Sequence, residues 1–118
     1  MIRFVHCVKR RADLSPEEFR HLWNSPEFLD LLERLKALSG AVRLERSLTL
    51  IIPENIRLME ERGSGEPFDA MLEVWWQRGV GLFETFSTPE AGRLLEELAA
   101  CQAGFIDFAE SRRFFTES

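Results

Sequence analysis

The chain has no tyrosine and only two cysteines, two histidines and seven glycines among its 118 residues. Cys7 and Cys101 form no CxxC pair, so we expect neither a disulfide framework nor a structural zinc site. Two histidines without an HExxH pattern give no metal signature, and we expect no bound metal and no cofactor. Gly79 and Gly81 lack the strand-to-helix context of a dinucleotide loop, and no Gly-x-Ser-x-Gly elbow is present for a hydrolase nucleophile.

Long apolar segments and a basic charge balance are also missing. No segment approaches the roughly 18 apolar residues of a membrane-spanning helix, and the N-terminal segment has no signal-peptide pattern. Fifteen basic and 20 acidic side chains give a net charge of −5, which disfavours a nucleic-acid partner. Hydrophobic residues make up 45% and charged residues 30%, as in ordinary globular chains. We therefore expect a single cytoplasmic domain over residues 1–118, with no membrane partner.

The apolar pattern predicts two halves of the same design. Each half has a helix start of the same kind, Ser15-Pro16-Glu17 and Thr88-Pro89-Glu90, in which a capping hydroxyl precedes a first-turn proline. Pro26 predicts a break in the first helix, with Ser25 as a new cap. Alternating apolar and polar residues predict four strands, over residues 2–9, 41–52, 69–77 and 112–116.

The order of these elements is β-α-β, an excursion over residues 56–62, then β-α-β. This is the ferredoxin-like βαββαβ pattern of an α+β fold, a four-stranded antiparallel sheet with helices on one face. The other face needs a partner, a ligand or water. Met71 and Trp75 are predicted there among charged residues, and a half-apolar face of this kind favours dimerisation around a pocket.

Several short motifs occur in a fixed order along the chain. The first strand is followed by Lys9-Arg10-Arg11 and Leu14-Ser15-Pro16-Glu17-Glu18-Phe19, and Phe19 and Trp23 form a Phe-x-x-x-Trp pair on one helix. The later motifs are Pro67-Phe68-Asp69, Glu73-Val74-Trp75-Trp76, Ser87-Thr88-Pro89-Glu90-Ala91-Gly92 and Phe105-Ile106-Asp107. In this order, over nearly the whole chain, they resemble the EthD family of dimeric α+β barrel proteins.

This resemblance implies a homodimer whose two sheets pack face to face into a barrel, with a site for a small apolar molecule in each half. The wider superfamily contains cofactor-free monooxygenases, isomerases and decarboxylases, and the family is tied to degradation of xenobiotic ethers and to polyketide-type chemistry. An oxidoreductase or related degradative activity is therefore implied. The family commonly has a histidine four residues after the tryptophan, where this chain has Glu27. The alternative is a non-catalytic binding or interaction dimer that has lost this acid/base group.

Two carboxylates are candidates for acid–base chemistry. Glu73 is predicted next to Trp75 on the third strand, and Glu45 on the polar side of the second. A carboxylate desolvated inside a barrel could act as a general base. The alternative is a pair of ordinary surface carboxylates or ion pairs with Arg3 and Arg43.

Trp75, Trp23, Met71 and His6 are candidates for contact with the ligand, because aromatic side chains dominate the walls of ligand pockets. His6 alternates with apolar residues, so a buried core histidine is the competing interpretation. We expect His21 to face solvent.

Four phenylalanines close the chain: Phe105, Phe108, Phe114 and Phe115. We expect the last strand to be an edge strand, which a lone subunit would have to protect. These side chains are therefore predicted to pack partly against a second subunit.

Overall fold

The computed structural model describes all 118 residues and contains four strands and five helices. The strands are β1 (Ile2–Val8), β2 (Arg43–Leu48), β3 (Ala70–Trp76) and β4 (Arg112–Glu117). The helices are α1 (Pro16–Trp23), α2 (Pro26–Ser39), α3 (Pro53–Arg62), α4 (Leu82–Phe86) and α5 (Pro89–Gln102). No helix combines the length and the apolar character needed to cross a membrane.

Local sequence signals set the helix starts. Ser15 and Glu18 form a reciprocal capping box at α1, in which the Ser15 Oγ accepts from the Glu18 N–H at 3.1 Å. The Ser25 and Thr88 side chains cap α2 and α5 by accepting from the backbone N–H three residues later, without the reciprocal bond, and a proline follows each cap. The predicted break before Pro26 is confirmed, because a proline there cannot continue the hydrogen bonding of α1.

The four strands form one antiparallel sheet in the order β2-β3-β1-β4. The predicted ferredoxin-like α+β fold is confirmed, and β4 is an edge strand as expected. The predicted second strand is too long at its C-terminal end. The chain leaves the sheet after Leu48 and turns into α3, which begins at Pro53 and buries none of its residues.

The hydrophobic core lies between one face of the sheet and the helices. Sheet residues that alternate inward, such as Val8, Leu72 and Val74, are fully buried there. Packed against them is a group of buried aromatic rings from α1, α2 and the segment after α5: Phe19, Trp23, Phe28 and Phe105. All helices that carry buried residues therefore lie on one side, and the opposite side of the sheet has no covering element. We call that side the open face.

Candidate functional site

One half of the open face is a cluster of charged side chains around an indole ring. Glu45 on β2 lies directly opposite Glu73 on β3 in the strand register. Arg3 Nη1 lies 3.1 Å from Glu73 Oε2, and Arg43 Nη2 lies 2.6 Å from Glu45 Oε1. The Arg43 guanidinium also lies 4.6 Å from the centre of the Trp75 ring, a cation–π distance. Two arginines thus offset the repulsion between the facing carboxylates.

These ion pairs limit what the carboxylates can do chemically. The Glu73 side chain is only 14% exposed, but its charge is already matched by Arg3, and Thr116 Oγ1 accepts a further hydrogen bond from the same guanidinium. Each carboxylate is therefore already bound to a guanidinium. The acid–base roles of Glu73 and Glu45 stay predictions.

The other half of the open face is apolar. Val5 is buried between its neighbours, whereas Met71 is 36% and Phe114 is 47% exposed. Burial, with a smaller contribution from the charge of Glu73, raises the pKa of the Cys7 thiol. The thiol therefore stays protonated near neutral pH, so Cys7 is a small packing residue and a poor nucleophile.

The six predicted site residues do not come together. Glu73, Glu45, Trp75 and Met71 lie on the open face, whereas Trp23 and His6 lie on the helix side of the sheet. Trp23 is 1% exposed and stacks on Phe19 at 5.9 Å between ring centres. The sheet separates Trp23 and His6 from the other four residues, and the substrate-binding roles of Trp75, Trp23, Met71 and His6 stay predictions.

A second candidate site lies between α1 and the excursion that contains α3. It is a cavity of about 500 Å³, within the usual range for small-molecule sites. Its apolar wall includes Phe19, Ile52, Ile56, Met59 and Phe68.

Two cations at this cavity are already engaged. Arg20 Nη2 donates to the Thr49 carbonyl at 2.7 Å, and Lys9 Nζ lies 3.2 Å from Glu66 Oε2 and 3.8 Å from Asp69 Oδ2. Lys9 is ion-paired and Arg20 is held by a backbone carbonyl, and with its largely apolar wall the cavity suits an uncharged apolar molecule.

Sequence reasoning missed the residues of this cavity. The predicted second strand includes Leu50-Ile51-Ile52, although three consecutive apolar residues do not alternate as a half-buried strand does. The sequence does contain a signal for this cavity. It is the apolar run Leu50-Ile51-Ile52, followed by the helix start at Pro53 and by apolar residues in an otherwise charged helix. Ile52, Ile56 and Phe68 keep more than a third of their surface exposed.

The fold and the cavity define a ferredoxin-like α+β protein with an apolar cavity of small-molecule size. No protein-family model matches the chain, and no curated protein matches it.

Solved structures share the fold over nearly the full length. A dimeric protein of unknown function with a ferredoxin-like fold from Bacteroides fragilis NCTC 9343 has a TM-score of 0.62 at 18% identity, over 99% of this chain and 95% of that chain. An EthD family protein from Bacillus halodurans C-125 has a TM-score of 0.60 at 11% identity, over 100% and 98%. An antibiotic biosynthesis monooxygenase has a TM-score of 0.52 at 11% identity, over 100% and 98%. The chain thus shares its fold with an EthD family protein, and EthD is the family that its motifs resemble.

Proposed function

We propose that the protein is an EthD-like homodimer that binds a small apolar organic molecule in the cavity between α1 and α3. The observation that carries this proposal is the cavity itself, which has an apolar wall and a small-molecule volume, and whose two neighbouring cations already have hydrogen-bond partners in the protein. Filling it would remove Ile52, Ile56 and Phe68 from water, and apolar burial contributes roughly 25 cal/mol per Å².

Binding of a neutral fluorescent probe, N-phenyl-1-naphthylamine, tests the cavity. We expect saturable binding, with the Ile56→Glu variant at least about tenfold weaker because it places a charge on the apolar wall. Leu58→Glu is the matched control. Leu58 lies on the same helix and is 63% exposed against 54% for Ile56, but it does not line the cavity. Equal loss in both variants, or no saturable binding, would contradict the proposal.

The homodimer would form through the open face. Exposed Met71 and Phe114 give it an apolar half, and the arginine–glutamate cluster gives a charged half that a second copy related by a two-fold axis can complement. The dimeric neighbour from Bacteroides fragilis supports a homodimer, and the choice of the open face rests on its exposed apolar and charged side chains.

Two adjacent phenylalanines provide a matched test of this interface. Phe114 and Phe115 are both 47% exposed, but they lie on opposite faces of β4. Phe115 packs within its own chain against Phe4 and Phe83, at 5.5 and 5.6 Å between ring centres. By light-scattering mass, Phe114→Ala should shift the equilibrium towards monomer, and Phe115→Ala should do so much less. A wild-type monomer, or an effect of Phe115→Ala alone, would exclude the open face as the interface.

A degradative enzyme is the second candidate function, supported by the fold shared with the antibiotic biosynthesis monooxygenase. In this case Glu73 and Glu45 would supply acid–base chemistry inside the barrel, with Trp75 and Met71 as the wall. The ion pairs of both carboxylates favour binding without turnover. Glu73→Gln decides the role of Glu73: unchanged consumption of a substrate that the wild type turns over would remove it from the mechanism.

A further inference from the structure

The buried polar side chains of this protein are concentrated in one place. Only three polar or charged residues are buried, and these are His6, Gln102 and Ser111, at 3%, 8% and 8% exposure. All three line a single cavity of about 170 Å³ between the sheet and the C-terminal end of α5. Ala99, Phe108 and Arg113 complete its lining. This cavity shares no residue with the apolar cavity beside α1.

Two of the buried polar groups have no partner in the protein. Ser111 is fully engaged, because its hydroxyl donates to the Asp107 carbonyl at 2.7 Å and accepts from the Lys9 N–H at 2.8 Å. The His6 imidazole and the Gln102 amide form no hydrogen bond with any protein group, and although both residues are more than nine-tenths buried, their polar atoms are not sealed from solvent. Because both residues line the cavity, these polar atoms can form hydrogen bonds to a molecule bound there.

The cavity is also electropositive. Arg113 lies directly opposite His6 in the β1–β4 register and forms no ion pair with any carboxylate. No acidic residue lines the cavity, in a chain whose net charge is −5. Burial and the charge of Arg113 together lower the pKa of His6 to about 4, so the imidazole is neutral near physiological pH and offers one N–H donor. The guanidinium is then the one charge at the site.

We propose that this cavity binds a small carboxylate, with Arg113 as its ion-pairing partner and His6 and Gln102 as hydrogen-bond donors. A guanidinium matches the two oxygens of a carboxylate in a planar, bidentate geometry, and charge-assisted bonds of this kind are about twice as strong as neutral ones. At about 30 Å³ per water molecule, the cavity has room for about five or six non-hydrogen atoms, which suits a carboxylate of two to four carbons. The carboxylate end of a longer molecule that extends past Phe108 would also fit. This site is independent of the apolar site proposed above.

The two histidines give a direct assay by proton NMR. His6 lines the cavity, and His21 is exposed on α1, so each spectrum contains a reporter and its control. We expect titration with sodium propionate to move the His6 ring signals along a saturable curve, with little movement of the His21 signals. The Arg113→Gln variant should bind at least about tenfold more weakly, since it removes the ion pair. Arg57→Gln, which removes the same charge from α3, should bind like the wild type.

A second variant and a second anion complete the test. Gln102→Met keeps the side-chain size and removes the amide, so we expect weaker propionate binding in a chain that still folds. Three results would overturn the proposal: no saturable shift at His6, equal shifts at both histidines, or the same affinity in Arg113→Gln as in the wild type. Saturable binding of inorganic phosphate without binding of propionate would overturn the assignment to a carboxylate.

Discussion

Acidification tests the burial of His6 on the helix side of the sheet. Burial, with the charge of Arg113, lowers the pKa of His6 from 6.5 to about 4 in the folded protein. The unfolded chain therefore takes up a proton at a higher pH than the folded chain does, and the free energy of unfolding decreases as pH falls through 6.5 towards 4. The stabilisation from keeping this imidazole neutral is fully present above the unfolded pKa.

The size of the effect follows from the two pKa values. Between about pH 7.5 and about pH 5, the two protonation equilibria give a loss of about 2 kcal/mol for a ring without solvent contact. Solvent that reaches the ring through the cavity reduces this to about 1 kcal/mol. His6→Gln removes the titration and keeps a polar side chain at the position.

Urea unfolding at fixed protein concentration measures the difference. Wild type and His6→Gln are compared at both pH values, so that contributions from carboxylates and from His21 cancel. We expect the wild type to lose about 1 kcal/mol more than the variant on acidification. An equal loss in both proteins would show that the imidazole titrates as it does in the unfolded chain, and the buried neutral ring would be refuted.

Three further substitutions test the packing and the local hydrogen bonds by urea unfolding. Trp23→Ala should destabilise the protein by about 3–5 kcal/mol, because it empties a fully buried position, and Trp23→Phe should cost less. If both variants lowered the free energy of unfolding by the same small amount, the core position of the ring would be contradicted. Ser111→Ala should cost about 1–3 kcal/mol, because it leaves the Lys9 N–H without its acceptor, and faster hydrogen exchange at that amide is the accompanying readout. Ser15→Ala should cost about 1 kcal/mol through loss of the α1 cap; no change would mean that the capping box contributes nothing.

Much of the fold was predictable because its signals are local. Ser15-Pro16 and Thr88-Pro89 each start a helix in the structure. The signal is local, because the capping hydroxyl of Ser15 or Thr88 bonds to a backbone N–H only three residues away. Alternation along β3 separated Leu72 and Val74 from Met71 and Glu73 without any tertiary information. The end of β2 was not predicted correctly. The apolar residues that follow it line a cavity with α1, and the alternation of residues along a strand carries no information about such contacts.

The candidate sites were predictable only in part. Placement of Glu73 with Trp75 on one face follows from their spacing, and so does the burial of His6 with Val8. What each side chain meets across the sheet does not follow from spacing. Arg3 comes to Glu73 from a strand that lies beside β3 only in the folded sheet, and the resulting ion pair changes what that carboxylate can do.

By itself, the sequence determined the order of elements, the helix caps and the division of each strand into two faces. These properties depend on the backbone and on residues within a few positions of one another. The tertiary structure alone brought Gln102, Ser111 and Arg113 from the end of the chain around His6 at its beginning. Antiparallel pairing of β1 with β4 creates that cavity, and no local pattern encodes which distant residues such a pairing places in contact.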